Sequence, residues 1–586
     1  MAGTTFPELG AIPEGSGTTF RVWASRARHV EVRLFEDPSR PLGTTELEPR
    51  NGGIFEAHLP EVKPGSLYMF LVDGRQLPDP YARFLPFGVE GPAEVVPRAR
   101  VSAFDRGRPP GGRVIYELHV GTFTPEGTYA AAQERLAHLA DLGVTAIELM
   151  PLSSFPGKRG WGYDGVCHFA PLAAYGRPES LRAFVAAAHA KGLAVILDAV
   201  YNHFGPRGNY LGAYAPEYFS KDASNPWGDA PNFGTPAMRS YVLANARMWF
   251  DEYGFDGLRL DATHTLRDPS PRHILKELRD VADAYLPRRA LYAEDDRNDP
   301  VLVSEYGMDG IWADDFHHQM RVLLTGERDG YYAAYEPVPD ALARTIERGW
   351  LYEGQRYLPW KKPRGKPAGM LEPQRFVYCI ENHDQVGNRA LGDRLDQRAG
   401  VDALRTATLV LLFLPMTPLL FMGQEWAASS PFQYFTDHDP EQGALVSKGR
   451  REEFKAFPEF SSDAAQDRIP DPQLAGTFER SKLDWEETER EPHRSVLEAV
   501  RRLLRLRRED PILRAPSVRS DLRARTRGHV LVVERRGPGG SRTLVANLSA
   551  RAADGGPLPS GKLLFSVGEV GEGGVMGPFA LGIWNA

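Results

Sequence analysis

Three short stretches decide the fold of this chain: GLRLDATH at residues 257–264, LYAEDD at 291–296 and ENHDQVGN at 381–388. Each begins with or follows an apolar run and then delivers a carboxylate with Arg or His nearby. Strands that carry Asp or Glu at their carboxyl ends build a site from the ends of parallel strands, as in barrel enzymes. The three stretches therefore predict a parallel barrel with an acidic site at one end.

Strand, loop and helix alternate from residue 114 onward, and eight strand candidates can be counted. The strand candidates are 114–119, 146–150, 194–200, 257–261, 290–293, 310–312, 376–380 and 418–422. The helical stretches between them include 129–142, 181–191, 238–253, 274–285 and 401–414. Eight β units separated by helices favour an α/β fold, a (β/α)8 TIM barrel, over an open doubly wound sheet.

Two β-rich regions flank the predicted barrel. Residues 1–97 contain short alternating runs separated by Gly and Pro turns, which is typical of an N-terminal β-sandwich. A Pro–Gly cluster at 108–112 indicates a linker, and residues 516–586 return to the β pattern and predict a C-terminal β-sandwich. The catalytic barrel is then residues 98–515. It contains two long insertions, at about 204–236 and about 326–373.

Composition excludes several classes of protein. The net charge is −7, and the basic stretch RRLLRLRR at 501–508 has leucines at helical spacing. An amphipathic helix that closes the barrel is therefore favoured over a nucleic-acid site. No apolar run reaches the roughly 18 residues of a membrane span, and no secretory signal pattern is present. With two cysteines, a disulfide framework is not expected. We expect a cytoplasmic protein with no nucleic-acid or membrane partner.

Asp261 follows Arg259 by two positions in a strand candidate, so both side chains leave the strand on the same face. A guanidinium beside a carboxylate lowers the pKa of that carboxylate and keeps it ionised, as a nucleophile requires. The alternative interpretation is a structural Arg–Asp pair at the end of a strand.

Glu294 ends the apolar stretch LYAE, which indicates partial burial. Desolvation raises the pKa of a carboxyl group, and a raised pKa suits a proton donor. Asp295 and Asp296 follow directly, but in a strand Asp295 points to the opposite face and need not crowd Glu294. An exposed acidic turn is the alternative.

Asp384 directly follows His383 after another strand candidate. Two carboxylates on either side of one bond are the minimum for glycoside hydrolysis, and a third can stabilise oxocarbenium charge. Asp384 could instead cap a helix, since Asp is a preferred N-cap residue. The block DAVYNH at 198–203 ends in Asn202 and His203, which fit recognition of hydroxyl groups, although a lone His is more often structural.

Together, these four blocks resemble the signature set of the α-amylase superfamily, glycoside hydrolase family 13. They occur in family order, each at the carboxyl end of a predicted barrel strand. The N-terminal segment is similar to the sandwich module of branching and debranching enzymes, so the resemblance covers nearly the whole chain. It implies a retaining hydrolase without a cofactor, whose two carboxyl groups lie about 5–5.5 Å apart.

The resemblance also implies a role for each matching residue. Asp261 is expected to be the nucleophile, Glu294 the general acid/base and Asp384 the residue that stabilises the transition state. The residues expected to hold the sugar at the cleavage position are Arg259, His203, His383 and Tyr163, the last as an aromatic platform in GWGYDG. For Tyr163 the alternative is core packing.

Stretches outside the four blocks resemble a narrower group within the family, among them NHFGPRGNYL, IWADDFHH and GQEWAASSPFQYFTDH. Members of that group cut the α-1,4 bond that joins a malto-oligosaccharide to a terminal trehalose. The resemblance implies malto-oligosyltrehalose and malto-oligosaccharides as ligands, and a pathway link to malto-oligosyltrehalose synthase. Residues expected to shape the trehalose side are His264, Glu381 and the loop 424–438.

Two other functions remain as alternatives. A glycogen branching enzyme shares the N-terminal module, the barrel and the same carboxylates, and differs only in transferring the glucan to a sugar hydroxyl. A non-catalytic glucan-binding barrel is expected to have lost at least one of Asp261, Glu294 and Asp384, and none is replaced.

Two tryptophans are further candidates for stacking on glucose rings. Trp227 and Trp426 both belong to predicted loops on the active face, although most tryptophans in large proteins are simply packed. Some relatives bind calcium near the position of Asn202, but the insertion at about 204–236 has no dense cluster of oxygen ligands. No metal site is therefore predicted.

Overall fold

The computed structural model describes residues 6–99, 113–225, 228–455 and 457–585. Eight parallel strands form a closed barrel in chain order, which confirms the predicted (β/α)8 fold. The strands are Ile115–Leu118, Ala146–Leu149, Ala194–Ala199, Gly257–Leu260, Ala290–Ala293, Gly310–Trp312, Phe376–Cys379 and Thr417–Phe421. The predicted linker at 108–112 lies outside the described residues.

The barrel interior is filled in layers that follow from the two-residue period of a strand. An apolar layer toward the amino-terminal ends of the strands includes Ile115, Ala146, Ile196, Tyr292, Val377 and Leu419. Two positions further along the first four strands lie buried charged residues, namely Glu117, Glu148, Asp198 and Arg259. The interior is therefore apolar at one end and charged at the other, beneath the carboxyl-end mouth.

Helices surround the barrel and occupy most of the connections between its strands. The α-helices of the described residues are Val120–Phe123, Tyr129–Glu134, Leu136–Leu142, Pro178–Ala190, Leu211–Tyr214, Pro236–Glu252, Ile274–Asp283, Val301–Ser304, Asp315–Thr325, Pro339–Arg348, His383–Gly387, Asp396–Ala399, Val401–Phe413, Pro440–Phe454, Asp463–Gln466, Ala475–Arg480 and His493–Glu509. The predicted helical stretch 129–142 divides into two helices at Arg135, whose N–H bonds to the carbonyl of Ala132 three residues back. No described helix is both long and apolar enough to cross a membrane.

The N-terminal region is built from two antiparallel sheets. One contains Gly10–Glu14, Gly17–Trp23, Ile54–Leu59 and Glu48–Pro49, and the other contains Arg40–Glu46, Val30–Asp37, Leu67–Val72, Arg75–Leu77 and Ala93–Glu94. Phe20 from the first sheet and Val32 and Phe70 from the second are fully buried in one shared core. The two sheets therefore form the sandwich that the alternating pattern predicts.

The C-terminal region contains a five-stranded antiparallel sheet and a two-stranded sheet packed against it. The larger sheet has the strand order Leu522–Arg527, Val530–Gly537, Gly540–Asn547, Leu581–Asn585 and Lys562–Val567, and the smaller pairs Ala553–Asp554 with Val575–Met576. Met576 of the smaller sheet is buried with Val530 and Val545 of the larger.

The two long connections carry their own small elements. Between strands three and four, the strands Phe219–Asn225 and Gly228–Pro231 pair with each other. Between strands six and seven, the helix Pro339–Arg348 is followed by a short pairing of Arg356–Tyr357 with Lys362–Pro363.

Candidate active site

A cleft of about 460 Å³ opens where the barrel strands end. Asp261 directly follows strand four, Glu294 directly follows strand five, and Asp384 lies in the helix His383–Gly387 after strand seven. The predicted site residues that line this cleft together are Asp261, Glu294, Asp384, Tyr163, His203, His264 and His383. Parallel strands deliver these side chains to one place because their carboxyl ends meet at the same face of the barrel.

Arg259 lies beneath the cleft and connects several carboxylates. Its Nη1 donates to both oxygens of Asp198 at 2.8 and 2.9 Å and to Oδ1 of Asp261 at 2.8 Å. Its Nη2 is 3.7 Å from Oε2 of Glu294. Burial alone would lower the pKa of Arg259, but the surrounding carboxylates outweigh it and raise that pKa well above its usual value. The permanent positive charge of Arg259 therefore lies close to both carboxyl groups that are predicted to react.

Glu294 has the environment of a proton donor. Burial raises the pKa of Glu294 well above its usual value; Arg259 opposes this shift and the charge of Asp261 adds to it. The Oε2 of Glu294 accepts a hydrogen bond of 2.6 Å from the N–H of Ala262. Ala262 has a φ of 40°, a left-handed conformation that is uncommon for a residue with a side chain. This local turn directs the N–H toward the carboxyl group.

Asp384 is a half-buried acceptor in the cleft rather than a helix cap. The helix cap is Asn382, whose side chain accepts from the N–H of Gln385 at 2.7 Å, so the alternative interpretation of Asp384 is wrong. The Oδ1 of Asp384 accepts from Asn388 at 3.0 Å, and its Oδ2 lies 3.4 Å from Nε2 of His383. Burial opposes the shift, but the charge of His383 lowers the pKa of Asp384 to about 2.

His383 is held by carboxylates on both sides of its ring. Its Nδ1 lies 2.5 Å from Glu117, and its backbone N–H donates to the same carboxylate at 3.0 Å. Burial would lower the pKa of His383, but Asp384 and Glu117 outweigh it and raise that pKa well above its usual value. The Tyr163 hydroxyl lies 2.7 Å from Nε2 of His383 and donates to Asp198 at 2.6 Å. The imidazolium and the phenol are therefore fixed in position.

Tyr163 and His203 are positioned by the same network. The Tyr163 ring stacks on the ring of His383, with centroids 5.1 Å apart and planes at 25°. His203 contacts the carbonyl of Tyr163 through Nε2 at 2.7 Å and the side chain of Asn202 through Nδ1 at 2.9 Å. Burial lowers the pKa of His203. Both residues offer a ring to the cleft whose orientation is set by hydrogen bonds.

Glu381 does not line the cleft, and its predicted role on the trehalose side is wrong. The side chain is 1% exposed. Its Oε2 accepts from Nη1 of Arg394 at 3.1 Å, and its Oε1 accepts from the N–H of Leu395 at 2.7 Å. Both oxygens are occupied by buried donors, so this carboxylate is a structural ion pair.

Trp426 is also misassigned as a stacking residue. It is fully buried, and its ring centroid lies 4.9 Å from that of Trp485. The chain forms a short 3-10 turn directly after strand eight, which carries Trp426 beneath the surface instead of into the cleft. Within the loop 424–438, Tyr434 and Thr436 are the residues that line the cleft.

The remaining predicted residues are His264 and Trp227. His264 lines the cleft, and its Nδ1 lies 3.7 Å from Asp296. Trp227 lies outside the described residues. His264, Asp295 and Asp296 place potential ligand atoms within 4.8 Å of one another. Because Arg297 already binds Asp295 with two hydrogen bonds of 2.9 and 2.6 Å, its positive charge disfavours a cation there. We assign no metal to this cluster.

Sequence reasoning missed the charged layer under the cleft. Glu117, Glu148 and Asp198 each interrupt an otherwise apolar strand, in IYEL, AIEL and AVILDA. A charge inside an apolar run is itself a signal of a buried functional group, because burying it without a partner is costly. Other cleft residues gave no such signal: Trp161, Asp164, Thr265 and Asn388.

Comparison with known families agrees with this arrangement of domains. Residues 8–82 match the model of carbohydrate-binding module 48, the isoamylase N-terminal domain. Residues 102–225 match the model of the alpha amylase catalytic domain. A crystal structure from Salmonella typhimurium, described as an alpha amylase, superposes with a TM-score of 0.90 at 38% identity and covers 99% of each chain.

Individual relatives narrow the family. A 1,4-alpha-glucan branching enzyme from Rhodococcus jostii is 33% identical, but over only 43% of this chain and 38% of its own length. The malto-oligosyltrehalose trehalohydrolase of Deinococcus radiodurans is 52% identical over 549 residues, which cover 92% of this chain and 89% of the relative. The chain therefore belongs to the malto-oligosyltrehalose trehalohydrolase family, which is built on the α-amylase barrel.

Proposed function

We propose that this protein is a retaining glycoside hydrolase that cleaves the α-1,4 bond next to the terminal trehalose of malto-oligosyltrehalose. The products are trehalose and a malto-oligosaccharide. The observation that carries the proposal is the position of Arg259, whose single guanidinium contacts Asp261 and approaches Glu294 at the floor of one cleft. The substrate follows from membership of a family whose members are named for this reaction.

In the first half of the reaction, a carboxylate oxygen of Asp261 attacks the anomeric carbon of the glucose on the glucan side. Glu294 gives its proton to the glycosidic oxygen as that C–O bond breaks, and trehalose leaves. The raised pKa of Glu294 supports this assignment, because a donor must still hold its proton near neutral pH. A covalent glycosyl ester on Asp261 is the intermediate expected of a retaining enzyme.

In the second half, Glu294 is a carboxylate and takes a proton from a water molecule. The water oxygen attacks the anomeric carbon, the ester bond breaks, and Asp261 returns to its carboxylate form. Asp384 contributes as an anion near neutral pH, since the charge of His383 lowers its pKa to about 2. Its carboxylate lines the cleft, where it can bind ring hydroxyls and stabilise the positive charge of the transition state.

The sugar at the cleavage position is held by groups that are themselves fixed. Tyr163 offers an aromatic face, and the rings of His383 and His203 line the cleft beside it with orientations set by their own hydrogen bonds. Groups that cannot turn away lose little entropy on binding, which favours a single sugar orientation. His264 is retained as a candidate for the trehalose side because it lines the cleft in the loop after strand four.

The decisive experiment is product analysis on a matched pair of substrates. Malto-oligosyltrehalose and the linear malto-oligosaccharide with the same number of glucose units are incubated with purified protein, and free trehalose and reducing ends are quantified. Trehalose is expected from the first substrate, with much slower cleavage of the second. The variant Asp261→Asn provides the blank. Cleavage without trehalose release contradicts the proposal.

Incubation with amylose tests the branching alternative. New α-1,6 branches, detected after debranching as shortened chains, are the outcome that favours a glycogen branching enzyme. A pathway link to malto-oligosyltrehalose synthase and a cytoplasmic location remain predictions from the sequence. The link has a simple chemical basis, since a synthase that converts a terminal maltose unit into trehalose makes the substrate proposed here.

A further inference from the structure

A second cleft, of about 380 Å³, lies at the opposite end of the barrel from the catalytic carboxylates. Its lining includes Val114 and Thr145, which directly precede strands one and two. Arg507 of the helix His493–Glu509 and Arg535 of the C-terminal sheet line the same space. The barrel, its last helix and the C-terminal region thus build this basal cleft together.

The basal cleft is strongly positive. Its described lining contains six arginines and two carboxylates: Arg113, Arg375, Arg507, Arg508, Arg514 and Arg535 against Asp309 and Glu372. Asp309 is shared between arginines outside and inside this set, because it accepts from Arg279 at 2.9 Å, pairs with Arg288 and lies 3.8 Å from Nη1 of Arg375. This concentration of positive charge contrasts with the net charge of −7 of the whole chain.

Two of these arginines are buried without a counter-ion. Arg507 is 8% exposed and Arg535 is 1% exposed. Arg507 Nη1 donates to the carbonyls of Leu412 and Leu414 at 2.6 Å, and Arg535 Nη1 donates to the carbonyl of Phe413 at 2.8 Å. Among the described residues, the further acceptors of these two guanidinium groups are also neutral oxygens, including Met416 at 3.3 Å for Arg507 and Leu513 at 3.1 Å and Ser517 at 3.2 Å for Arg535. An uncompensated buried charge is unfavourable, and an anion in the cleft relieves it.

Three buried polar atoms in the lining lack any hydrogen-bond partner in the described structure: the hydroxyl of Tyr292, Nε of Arg535 and Oε1 of Gln374. Arg Nε–H groups bind phosphate and carboxylate oxygens well. The amide oxygen of Gln374, however, can only accept a hydrogen bond. A fully ionised phosphate group has no hydrogen to donate to it, whereas the hydroxyl group of a sugar has one.

We infer that the basal cleft binds a phosphorylated sugar, with its phosphate on the arginines and its hydroxyl groups on Tyr292 and Gln374. The cleft volume falls within the range of about 300–1,000 Å³ that is usual for small-molecule sites. Such a ligand brings both the anion that the guanidinium groups lack and the donor that the amide oxygen lacks. The site is separate from the catalytic cleft, because it opens at the other end of the barrel.

Calorimetric titration of the full-length protein with glucose 6-phosphate tests the inference. The test variant is the double substitution Arg508→Gln and Arg514→Gln, because both side chains are exposed and line the cleft. The control is Arg505→Gln, an exposed arginine of the same helix that does not line it. We expect the Kd for glucose 6-phosphate to rise at least about tenfold in the double variant, as two phosphate contacts are lost, and to stay unchanged in the control.

Inorganic phosphate and glucose are titrated as partial ligands. Both are expected to bind more weakly than glucose 6-phosphate, since each satisfies only part of the cleft. Equal affinity of the double variant and the wild-type protein for glucose 6-phosphate overturns the inference, as does an absence of binding. Inorganic phosphate that binds as tightly as glucose 6-phosphate overturns the assignment of the hydroxyl contacts.

Discussion

Two buried arginines, Arg259 and Arg394, both pair with carboxylates, but the Arg259 cluster is reactive and the Arg394 pair is structural. Each is fully buried and binds a carboxylate near the end of a barrel strand. Around Arg259, the carboxylates outnumber the guanidinium, and Asp261 and Glu294 remain 13% and 19% exposed to the cleft. Around Arg394, the carboxylate partner is Glu381, which is 1% exposed and has both oxygens hydrogen-bonded. An ion pair becomes reactive where negative charge is in excess and one carboxylate still faces a cavity.

The largest effect is expected from substitutions in the Arg259 cluster. Asp261→Asn and Glu294→Gln should each leave the fold intact and lower kcat by at least ~10²–10⁴-fold, because the nucleophile or the acid is lost. Trehalose release from malto-oligosyltrehalose measures the rate, and circular dichroism checks the fold. Asp280→Asn, at an exposed carboxylate, serves as the control. A near-normal rate in a clean preparation of either variant removes the role given to that residue.

The Arg394 pair should respond in the opposite way. Glu381→Ala leaves a buried guanidinium without its partner and should lower the free energy of unfolding by about 3–5 kcal/mol, as measured in urea. The ratio of activity on malto-oligosyltrehalose to that on malto-oligosaccharide should not change in the folded protein. Glu381→Gln, which keeps an acceptor for the N–H of Leu395, should lose less stability. A changed activity ratio would return Glu381 to the substrate site.

The pH dependence of stability tests the environment of Glu294. The folded pKa of Glu294 lies well above its ordinary value of 4.5, so the carboxyl group is protonated in the fold where the unfolded chain is ionised. Stability from this group is complete below pH 4.5 and falls as pH rises through the folded pKa, by up to about 1.4 kcal/mol per pH unit. Glu294→Gln should therefore gain stability over the wild type as pH rises.

Thermal unfolding between pH 4 and pH 8 measures this difference, with Asp280→Asn as a parallel control. In the wild-type protein, kcat/KM should also fall on the alkaline side as Glu294 loses its proton. A stability difference between Glu294→Gln and wild type that is constant with pH contradicts the environment described for this carboxyl group.

The smallest effects are expected for Trp426 and Tyr163, two aromatic residues that were both expected to contact sugar rings. Trp426→Phe removes part of a fully buried side chain, and it should cost about 1–3 kcal/mol of stability with KM unchanged. Tyr163→Ala removes the ring that faces the cleft and should raise KM. Steady-state kinetics on malto-oligosyltrehalose measures both variants. A clear rise in KM for Trp426→Phe would place that residue at the sugar after all.

The parts of the molecule that were predicted correctly are those fixed by local sequence. Strand four and strand five are short, largely apolar runs directly followed by Asp261 and Glu294, so the pattern locates both the strand and the carboxylate. Glu381 also follows an apolar run, but its partner Arg394 is thirteen positions further along the chain. A local sequence pattern does not show whether a side chain so distant along the chain folds back and pairs with Glu381.

The burial of Trp426 has a similar origin. Its neighbour Trp485 comes from a separate segment, and the loop path that brings the two rings together is set by packing. Asp384 shows the reverse case. The helix after strand seven needs one cap, and the side chain of Asn382 supplies it, which leaves Asp384 to face the cleft. Choosing between Asn382 and Asp384 needs the backbone, because both residue types are good caps.

Ala262 has a consequence for attempts to make this enzyme more robust. Its φ of 40° is one that glycine adopts at no steric cost, so Ala262→Gly relieves strain in the folded state. A library ranked by heat tolerance alone would tend to keep such a change. The methyl group of Ala262, however, restricts the backbone to conformations close to the one in which its N–H donates to Glu294. At this position, selection for thermal stability favours glycine, whereas selection for catalytic rate favours alanine.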